Sequence, residues 1–373
     1  MESIDVIVVG AGAIGLASGW RLAQRGLRVT VLERDEPGAG TSRAAAGMIA
    51  PIAEAYIGEQ ELSELTMRSA AAYPDFVAEL TDASGEDPGY VRNGTLLVAR
   101  DRDEAEALER EQAMRASMGL TVSRLRPGEA RSLEPALAPT LRLALDVPDD
   151  HAIDPRKLVA ALAVAFERAR GELVPRAEVS SLVVEDGAVR GAALADSVLY
   201  ADHVVVAAGV WSDAIGGLPA DARVPLRPVK GQIMRLHDPA GPGLLNRVVR
   251  MGHGYVVPRG DGRYVIGGTI EERGYDRTVT AGGAFELLRD AIELVPGVSE
   301  FVIDELMAGL RPGTPDNAPI IGAGALRGLH WATGHYRNGI LLAPVTAELV
   351  VASVLGQPES GAFSPGRFTG VRA

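Results

Sequence analysis

A glycine-rich turn near the N-terminus has the residue types and spacing of a pyrophosphate-binding site. Residues 10–15 read GAGAIG, follow a short Val/Ile run and precede apolar residues at helical spacing. Gly10, Gly12 and Gly15 allow the backbone to turn tightly, approach a pyrophosphate and open a helix whose N–H groups face the anion. Glu33 follows Gly15 by 18 residues, where a carboxylate can accept both ribose hydroxyls. The pattern predicts dinucleotide binding.

Polar residues after Glu33 are candidates for extending this site. The Glu33 carboxylate should repel the 2′-phosphate of NADP. The adjacent Arg34 could receive such a phosphate, but it is interpreted as packing near the adenine or as solvated, so NADP is disfavoured. Thr41 and Ser42 can donate hydrogen bonds to the pyrophosphate or can cap the next helix, and the sequence leaves both open. Small residues at 44–47 leave room for a flat ring system, although they also suit helix packing.

Two arginines and a tyrosine further along are candidates for binding a small carboxylate. Arg311 stands between an apolar run and Pro312-Gly313, where a guanidinium can clamp a carboxylate through two hydrogen bonds or form an interdomain salt bridge. Arg337 can also bind the carboxylate, or it can position a cofactor loop. Tyr255, in GYVVP, either donates its hydroxyl to the carboxylate or is a buried strand tyrosine.

The overall composition excludes several functional classes. The 373 residues contain no cysteine, which rules out disulfides, thiolate catalysis and a thioether-linked flavin. Six histidines without metal-ligand spacing predict no metal site. A net charge of -12 argues against nucleic-acid or anionic-membrane partners. The apolar stretch 4–20 lacks a basic start and is interrupted by glycines, so we expect neither a signal peptide nor a membrane span, and a cytoplasmic location.

The elements that must position these residues alternate between β/α and β-rich segments. Residues 5–32 read as strand, turn, helix and strand, with Gly26 closing the helix, and their apolar strands imply a parallel sheet covered on both faces. The sequence further predicts helices at 63–79, 104–117, 155–170 and 339–355, a hairpin-like pair at 90–99, a hairpin at 179–194, a buried strand at 203–208 ending at Gly209, antiparallel strands at 224–270 and a strand at 329–333.

Four segments together resemble the D-amino acid oxidase superfamily, and most closely its glycine oxidase branch of thiamine biosynthesis. They are residues 41–48 (TSRAAAGM), 204–212 (VVVAAGVWS), 308–316 (AGLRPGTPD) and 334–342 (GHYRNGILL), and they join the N-terminal glycine turn in the same order over essentially the whole chain. The resemblance implies an α/β (α+β) fold, with a Rossmann-like FAD-binding domain and a discontinuous, mostly antiparallel β substrate domain. It places the FAD-binding domain at 1–80, 150–216 and 308–373, and the substrate domain at 81–149 and 217–307.

The resemblance also assigns roles to individual residues around a non-covalent FAD. It implies substrate contacts at Arg311, Arg337 and Tyr255, and it aligns Ile270 with a methionine of similar enzymes, which leaves the pocket size open. The implied cofactor contacts are Gly10, Gly12, Ala13, Ile14, Gly15, Glu33, Arg34, Thr41, Ser42, Ala46, Gly47, Met48, Val179, Gly209, His335, Tyr336, Arg337, Asn338, Gly339, Ile340 and Leu341.

The implied activity is oxidation of glycine by oxygen, through an imine that supplies the thiamine thiazole ring. Sarcosine or a small D-amino acid suits the same clamp, while a D-amino acid dehydrogenase, a hydroxy-acid oxidase and a non-catalytic FAD module remain alternatives. Neither His335 nor His253 is expected to be a base or a flavin attachment point, because hydride transfer from a neutral amine needs orientation more than a base. The C-terminal helix is expected to stabilise the reduced flavin with its positive end, provided that Pro344 lies in its first turn. A homo-oligomer, dimer or tetramer, is expected.

Overall fold

The computed structural model describes residues 4–252, 254–357 and 361–368, so the prediction made for His253 lies outside the described residues. The β-strands of this part of the chain are β1 Ile4–Val9, β2 Val29–Leu32, β3 Met48–Ile49, β4 Tyr90–Val91, β5 Thr95–Ala99, β6 Ser123–Leu125, β7 Leu143–Val147, β8 His151–Ile153, β9 Glu172–Val174, β10 Ser181–Glu185, β11 Ala188–Ala193, β12 Val198–Val206, β13 Arg227–His237, β14 Val248–Met251, β15 Gly254–Pro258, β16 Arg263–Gly267, β17 Val302–Gly313, β18 Ile320–Ala323 and β19 Leu329–Thr333. The α-helices are α1 Ala13–Gln24, α2 Thr41–Ala44, α3 Gln60–Ser84, α4 Arg102–Ser117, α5 Pro127–Leu133, α6 Pro155–Arg168, α7 Ala281–Leu294 and α8 Ala343–Val354.

The first sheet has a parallel core centred on β1. Strands β2 and β12 flank β1 in parallel, β9 extends the sheet beyond β2, and β19 runs beside the end of β12. Val6 and Val8 of β1 pack into the cluster formed with α1, α6 and α8, whereas Ile7 and Val9 belong to a second cluster on the opposite face. A strand buried on both faces needs apolar residues at every position, which confirms the prediction made from its Val/Ile run.

The second sheet is mostly antiparallel, as predicted, and is built around the long pair of β13 and β17. Its strand order is β17-β13-β16-β15-β14-β5-β7-β6, with β14 and β5 parallel. Alternate residues face opposite sides: Val249 and Val256 belong to the cluster under α7, whereas Arg250 and Tyr255 line a cavity. Since β17 stays in this sheet through Gly313, the sheet continues past the expected domain boundary at residue 308, and the domain division itself stays a prediction.

Two local predictions are wrong. Asn93-Gly94 does not close a hairpin, because β4 pairs with β8 in a small third sheet while the fully buried β5 pairs with β7 and β14. The last helix begins at Ala343 rather than near residue 339, and the residues just before it form turns. Pro344 does lie in the first helical turn, where its missing N–H costs nothing. No helix within the described ranges is long and apolar enough to span a bilayer.

Candidate active site

A cavity of about 700 Å³ extends from the start of α1 to the face of the second sheet. All four predicted substrate residues line it, and so do most of the predicted cofactor residues. Gly15, Asn338 and Leu341 are not among the lining residues. Gly15 is instead required for the backbone turn, because a methyl group at this position would overlap the carbonyl oxygen of Gly10.

The glycine turn leaves the N-terminus of α1 open toward the cavity. Gly10 has a φ of +106°, and a Cβ there would lie 2.7 Å from the Ala207 carbonyl oxygen, so only glycine is compatible with this close approach to β12. Gly12 is the N-cap of α1 and provides no side chain to occupy the first helical N–H groups. An open helix start of this kind is suited to a pyrophosphate.

Glu33 is held at the end of β2 by backbone donors. The N–H of Ala11 donates to Oε2 at 2.7 Å, and the N–H of Asp35 donates to Oε1 at 3.0 Å. Each carboxylate oxygen keeps a further lone pair, so the group remains able to accept ribose hydroxyls. Next to it, the Arg34 guanidinium lies 4.3 Å above the Trp211 ring and pairs with Asp35, and this stack forms a flat wall of the cavity.

The hydroxyls of Thr41 and Ser42 do not cap the short helix α2. Its N-cap is Gly40, and no side-chain cap is formed. Thr41 donates to the carbonyl oxygen of Leu310 at 2.6 Å, which ties α2 to β17, while the Ser42 hydroxyl accepts from the N–H of Ala13 at 3.1 Å. The capping alternative is therefore wrong, and the Ser42 proton remains available to an anion at the start of α1.

At the other end of the cavity, Arg311 lies flat against the second sheet. Its Nη1 donates to the carbonyl oxygens of Thr269, at 3.0 Å, and Lys230, at 3.3 Å. A Cβ at Gly231 would overlap the guanidinium, so glycine on β13 makes the space for it. The backbone contacts fix the orientation of the guanidinium and use only part of its five N–H donors.

Tyr255 and Arg311 converge on the same place. A Cβ at Gly268 would lie 2.9 Å from the Tyr255 hydroxyl oxygen and 3.3 Å from Arg311 Nη2. Burial raises the pKa of Tyr255 above its usual value, although the charge of Arg311 opposes this shift. The phenol therefore stays protonated at neutral pH and can donate a hydrogen bond beside the guanidinium.

Arg337 is held by acidic and aromatic neighbours. Its Nη2 donates to Glu59 at 3.0 Å, its Nε lies 3.8 Å from a Glu54 oxygen, and its guanidinium stacks 4.3 Å above the ring of Tyr56. Ile270 also lines the cavity but is 52% exposed, so it sits at the open side. Arg337 is thus a salt-bridged wall residue that still faces the cavity.

Among the wall residues that the sequence reasoning missed are the polar and aromatic side chains of Glu54, Tyr56, Trp211 and Arg250. Glu54 and Tyr56 follow the glycine-containing segment 44–48 by a few residues, and no local pattern marks them. Arg250 did carry a signal, because it interrupts the otherwise apolar strand β14 (VVRM). A buried arginine in such a strand indicates a partner or a ligand.

His335 is fully buried at the edge of the cavity. Its Nε2 lies 3.0 Å from the Thr346 hydroxyl, and burial lowers the pKa of the ring to about 3. The imidazole is therefore neutral over the physiological range. No group of three or more acidic or histidine side chains that could hold a metal occurs among the described residues.

This buried histidine predicts a specific pH dependence. Because the pKa of His335 is about 3 in the folded state and near 6.5 when unfolded, the unfolded state takes up the proton first as the pH falls, and stability is lost below about pH 6.5. Between pH 7.5 and 5.0, His335→Gln should reduce the loss in free energy of unfolding by about 2 kcal/mol. Urea unfolding at both pH values, with constant excess FAD, measures it.

Thr346→Val is the matched control for this measurement. It removes the hydrogen-bond partner but keeps the titrating ring, so the loss on acidification should remain. An identical loss in the His335→Gln variant and the unsubstituted protein would contradict the assignment.

An open helix start, a ribose-binding carboxylate and a continuous cavity ending at Tyr255 and Arg311 define a dinucleotide-binding enzyme with an adjoining small-ligand site. Comparison of the sequence and the structure with those of known proteins specifies the class of enzyme further. The sequence model of the DAO family, described as FAD dependent oxidoreductase, matches residues 5–353. The chain belongs to this family, and its cofactor is FAD.

Individual relatives are similar over nearly the whole chain. The protein named glycine oxidase of Geobacillus kaustophilus is 36% identical, with 95% of this chain and 94% of that protein covered; a crystal structure of glycine oxidase from that organism gives a TM-score of 0.91 at 34% identity, covering 100% of each chain. A solved iminodiacetate oxidase of Chelativorans gives 0.87 at 30% identity, over 96% of this chain and 98% of that one. The chain spans about half the length, 53%, of the bifunctional protein ThiO/ThiG of Trichormus variabilis, at 35% identity over 95% of this chain.

The residues present fit FAD. A Cβ at Gly12 would lie 3.2 Å from the hydroxyl oxygen of Ser42, at the start of α1. The absence of a side chain at Gly12 therefore leaves the space there that a pyrophosphate needs. Glu33 provides acceptors for a ribose, and the small residues Ala44 to Gly47 line the cavity where a flat ring system would pass.

Proposed function

We propose that this chain is a glycine oxidase, converting glycine, oxygen and water to glyoxylate, ammonia and hydrogen peroxide. The observation that carries the proposal is the convergence of the Tyr255 hydroxyl and Arg311 Nη2 beside Gly268, in the same cavity as the dinucleotide site. The names and full-length similarity of the glycine oxidase relatives support the choice of substrate.

In this mechanism, the protein binds and orients the substrate. Arg311 takes the carboxylate through its free N–H groups, and the Tyr255 hydroxyl donates a second hydrogen bond, so that the carboxylate is fixed at two points. The backbone carbonyls that accept hydrogen bonds from Arg311 hold its guanidinium in a fixed position, so the bound carboxylate is fixed as well. Fixing one end of so small a molecule fixes the direction of its α-C–H bond, which provides the orientation that the reaction requires.

The chemistry supplied by FAD, when bound, is two-electron oxidation of the α-C–H bond with oxygen as the final acceptor. The substrate loses a hydride from carbon and a proton from nitrogen, which leaves an imine. Water then adds to the C=N bond, and the adduct breaks down to glyoxylate and ammonia. With a pKa of about 3, the His335 ring is too weak a base to hold the released proton, so solvent takes it up.

Several finer points extend this proposal. Sarcosine and small D-amino acids suit the same clamp, because only the cavity walls distinguish them, and Ile270 at the open side is the wall residue expected to set this preference.

We further propose that the imine serves the thiazole ring of thiamine, and that the protein acts in the cytoplasm as a dimer or tetramer. A dehydrogenase of the same fold remains the second candidate, since the clamp does not select the electron acceptor.

A substrate screen tests the proposed function. The purified yellow protein under air should produce hydrogen peroxide with glycine, and with sarcosine or D-alanine at other rates. No peroxide with any of the three would overturn the proposal. Anaerobic bleaching of the flavin by glycine without reoxidation in air would select the dehydrogenase, and reduction by 2-hydroxy acids alone would select a hydroxy-acid oxidase.

A further inference from the structure

Arg250 is a buried guanidinium in the cavity wall that the proposed reaction of glycine does not use. It is 7% exposed and lines the cavity. Among the described residues no hydrogen bond to its side chain is formed, and its Nε and Nη1 are shielded from solvent. A buried N–H group without an acceptor is costly, so an acceptor belonging to a ligand is the expected partner.

The charges around Arg250 keep it cationic without using its donors. Burial lowers its pKa, but Glu54 and other neighbours, Tyr56, Asp150 and Tyr255, raise it by more, so the net shift is upward. The nearest carboxylate oxygen, of Glu54, lies 3.3 Å from Nη1 without hydrogen-bond geometry.

Glu54 is shared between two cations rather than dedicated to one. Its second carboxylate oxygen lies 3.8 Å from Nε of Arg337, which has its own partner in Glu59. Asp150, the other acidic group near Arg250, is engaged by the N–H groups of Ile52 and Ala53. Its burial raises its pKa to about 7, so it carries only part of a charge near neutrality.

Arg250 and Arg311 lie on opposite sides of Tyr255. Arg250 is the direct cross-strand partner of Tyr255 in the β14–β15 pair, so the two side chains leave the same face about 5 Å apart. Arg311 reaches Tyr255 from the other direction, across Gly268 at the end of β16. Since neighbouring strands are about 4.8 Å apart, a ligand only a few bonds long can reach from the Arg311 clamp past Tyr255 to Arg250.

We propose that Arg250 forms a second carboxylate-binding subsite, so that the cavity accepts amines carrying a carboxylate at each end, of which iminodiacetate is the simplest. This inference rests on the proposed function. One carboxylate occupies the Arg311 and Tyr255 clamp, and the other takes the unused donors of Arg250.

The reaction of such an amine is the same two-electron oxidation. The α-C–H bond breaks, the nitrogen loses its proton, and a C=N bond forms, while the two electrons pass to oxygen. Addition of water then cleaves the C–N bond. The balance is iminodiacetate, oxygen and water to glyoxylate, glycine and hydrogen peroxide.

A binding experiment separates the subsite from catalysis. Diglycolate is the ether analogue of iminodiacetate, and methoxyacetate is the same molecule with a hydrogen atom in place of the second carboxylate. Titrated into the FAD-loaded protein by calorimetry, diglycolate should bind about tenfold to a hundredfold more tightly, as charge-assisted hydrogen bonds predict. In Arg250→Gln the two affinities should become nearly equal.

The variants are chosen so that misfolding does not decide the result. Arg250→Gln leaves Glu54 with one cation fewer, so the double variant Glu54→Gln/Arg250→Gln serves as a version without that unpaired charge. Arg289→Gln is the control for loss of a positive charge, since Arg289 lies on α7 and pairs with its neighbour Asp290. Flavin absorbance and melting temperature verify that each variant is folded and loaded.

Steady-state rates provide the second readout. The ratio of kcat/KM for iminodiacetate to that for sarcosine should fall at least tenfold in both Arg250 variants and stay constant in Arg289→Gln. Equal binding of diglycolate and methoxyacetate by the unsubstituted protein, or a ratio unchanged by Arg250→Gln, overturns the subsite. Absence of peroxide with every amine would instead refute the proposed function, while the binding ratio would still report on Arg250.

Discussion

Replacing Arg311 with leucine is expected to lower kcat/KM for glycine by about a thousandfold or more, equivalent to ~4 kcal/mol of transition-state stabilisation. The guanidinium is fixed by two backbone carbonyls and faces the Tyr255 hydroxyl across Gly268. Removing it leaves a carboxylate of the substrate without its cation in a partly buried cavity, where the loss of a charge-assisted pair is most costly. Steady-state peroxide production over a range of glycine concentrations measures the effect.

Two comparisons show whether the loss reflects carboxylate binding. Glycine ethyl ester lacks the carboxylate, so its much lower initial rate should change little in Arg311→Leu. Arg227→Leu is the matched control, because Arg227 lies on the neighbouring strand β13 and pairs with the exposed Glu272 outside the cavity. If the Arg311→Leu variant keeps its FAD and oxidises glycine within tenfold of the unsubstituted rate, the clamp assignment is wrong.

The intermediate variant Arg311→Lys separates charge from geometry. A lysine retains the positive charge but not the planar pair of N–H donors, and its shorter reach does not replace the contact beside Gly268. We expect activity between those of the leucine variant and the unsubstituted protein, with most of the loss in KM.

The features that sequence predicts well are those specified locally. The glycine turn needs Gly10 and Gly15 because backbone atoms of Ala207 and Gly10 leave no space for side chains there, and the two glycines stand close together in the sequence. Strand β1 is apolar at successive positions because both of its faces are buried. Arg311 and Tyr255 were identified in the same way, as polar groups beside glycine and proline in strands.

The wall residues around Glu54 depend instead on contacts between distant parts of the chain. Asp150 accepts from the N–H groups of Ile52 and Ala53, while the buried Arg115 of α4 donates to the carbonyl oxygens of the same two residues at 2.9 and 2.7 Å. These four hydrogen bonds fix the segment that carries Glu54 into the cavity. No pattern within residues 48–56 contains that information.

The failed hairpin at residues 90–99 has a similar cause. Asn93-Gly94 is a strong local turn signal, yet the Asn93 amide donates to the Asn246 carbonyl, and β5 takes partners from residues 143–147 and 248–250. Because β5 is buried throughout, pairing inside the large sheet outweighs the local turn. The shortened C-terminal helix shows that Pro344 at the first turn, rather than Gly339, marks where the helix begins.

The second large effect is expected at the glycine turn, where one alanine substitution should lower the stability of the apoprotein and the other should weaken only FAD binding. In Gly15→Ala the new methyl group would overlap the backbone carbonyl of Gly10, which cannot move without breaking the turn against β12, so the apoprotein should lose about 3 kcal/mol of stability. Gly12 has an ordinary φ of -78°, and its methyl group would meet only the movable Ser42 hydroxyl. Gly12→Ala should therefore keep the stability of the apoprotein within about 1 kcal/mol.

FAD binding should nevertheless fall in both variants, because the methyl group of Gly12→Ala occupies the close approach that the pyrophosphate requires. We expect at least a tenfold higher Kd for FAD in Gly12→Ala, about 1.4 kcal/mol, and no measurable FAD in Gly15→Ala. Urea unfolding of the apoproteins and fluorescence titration with FAD separate the two causes. Gly128→Ala in α5, where a methyl group meets nothing within 4 Å, is the control; it should leave FAD binding unchanged and should raise the stability of the apoprotein by no more than about 1 kcal/mol, through the higher helix propensity of alanine. Equal apoprotein stabilities for Gly12→Ala and Gly15→Ala would mean that Gly15 serves the cofactor directly rather than the backbone turn.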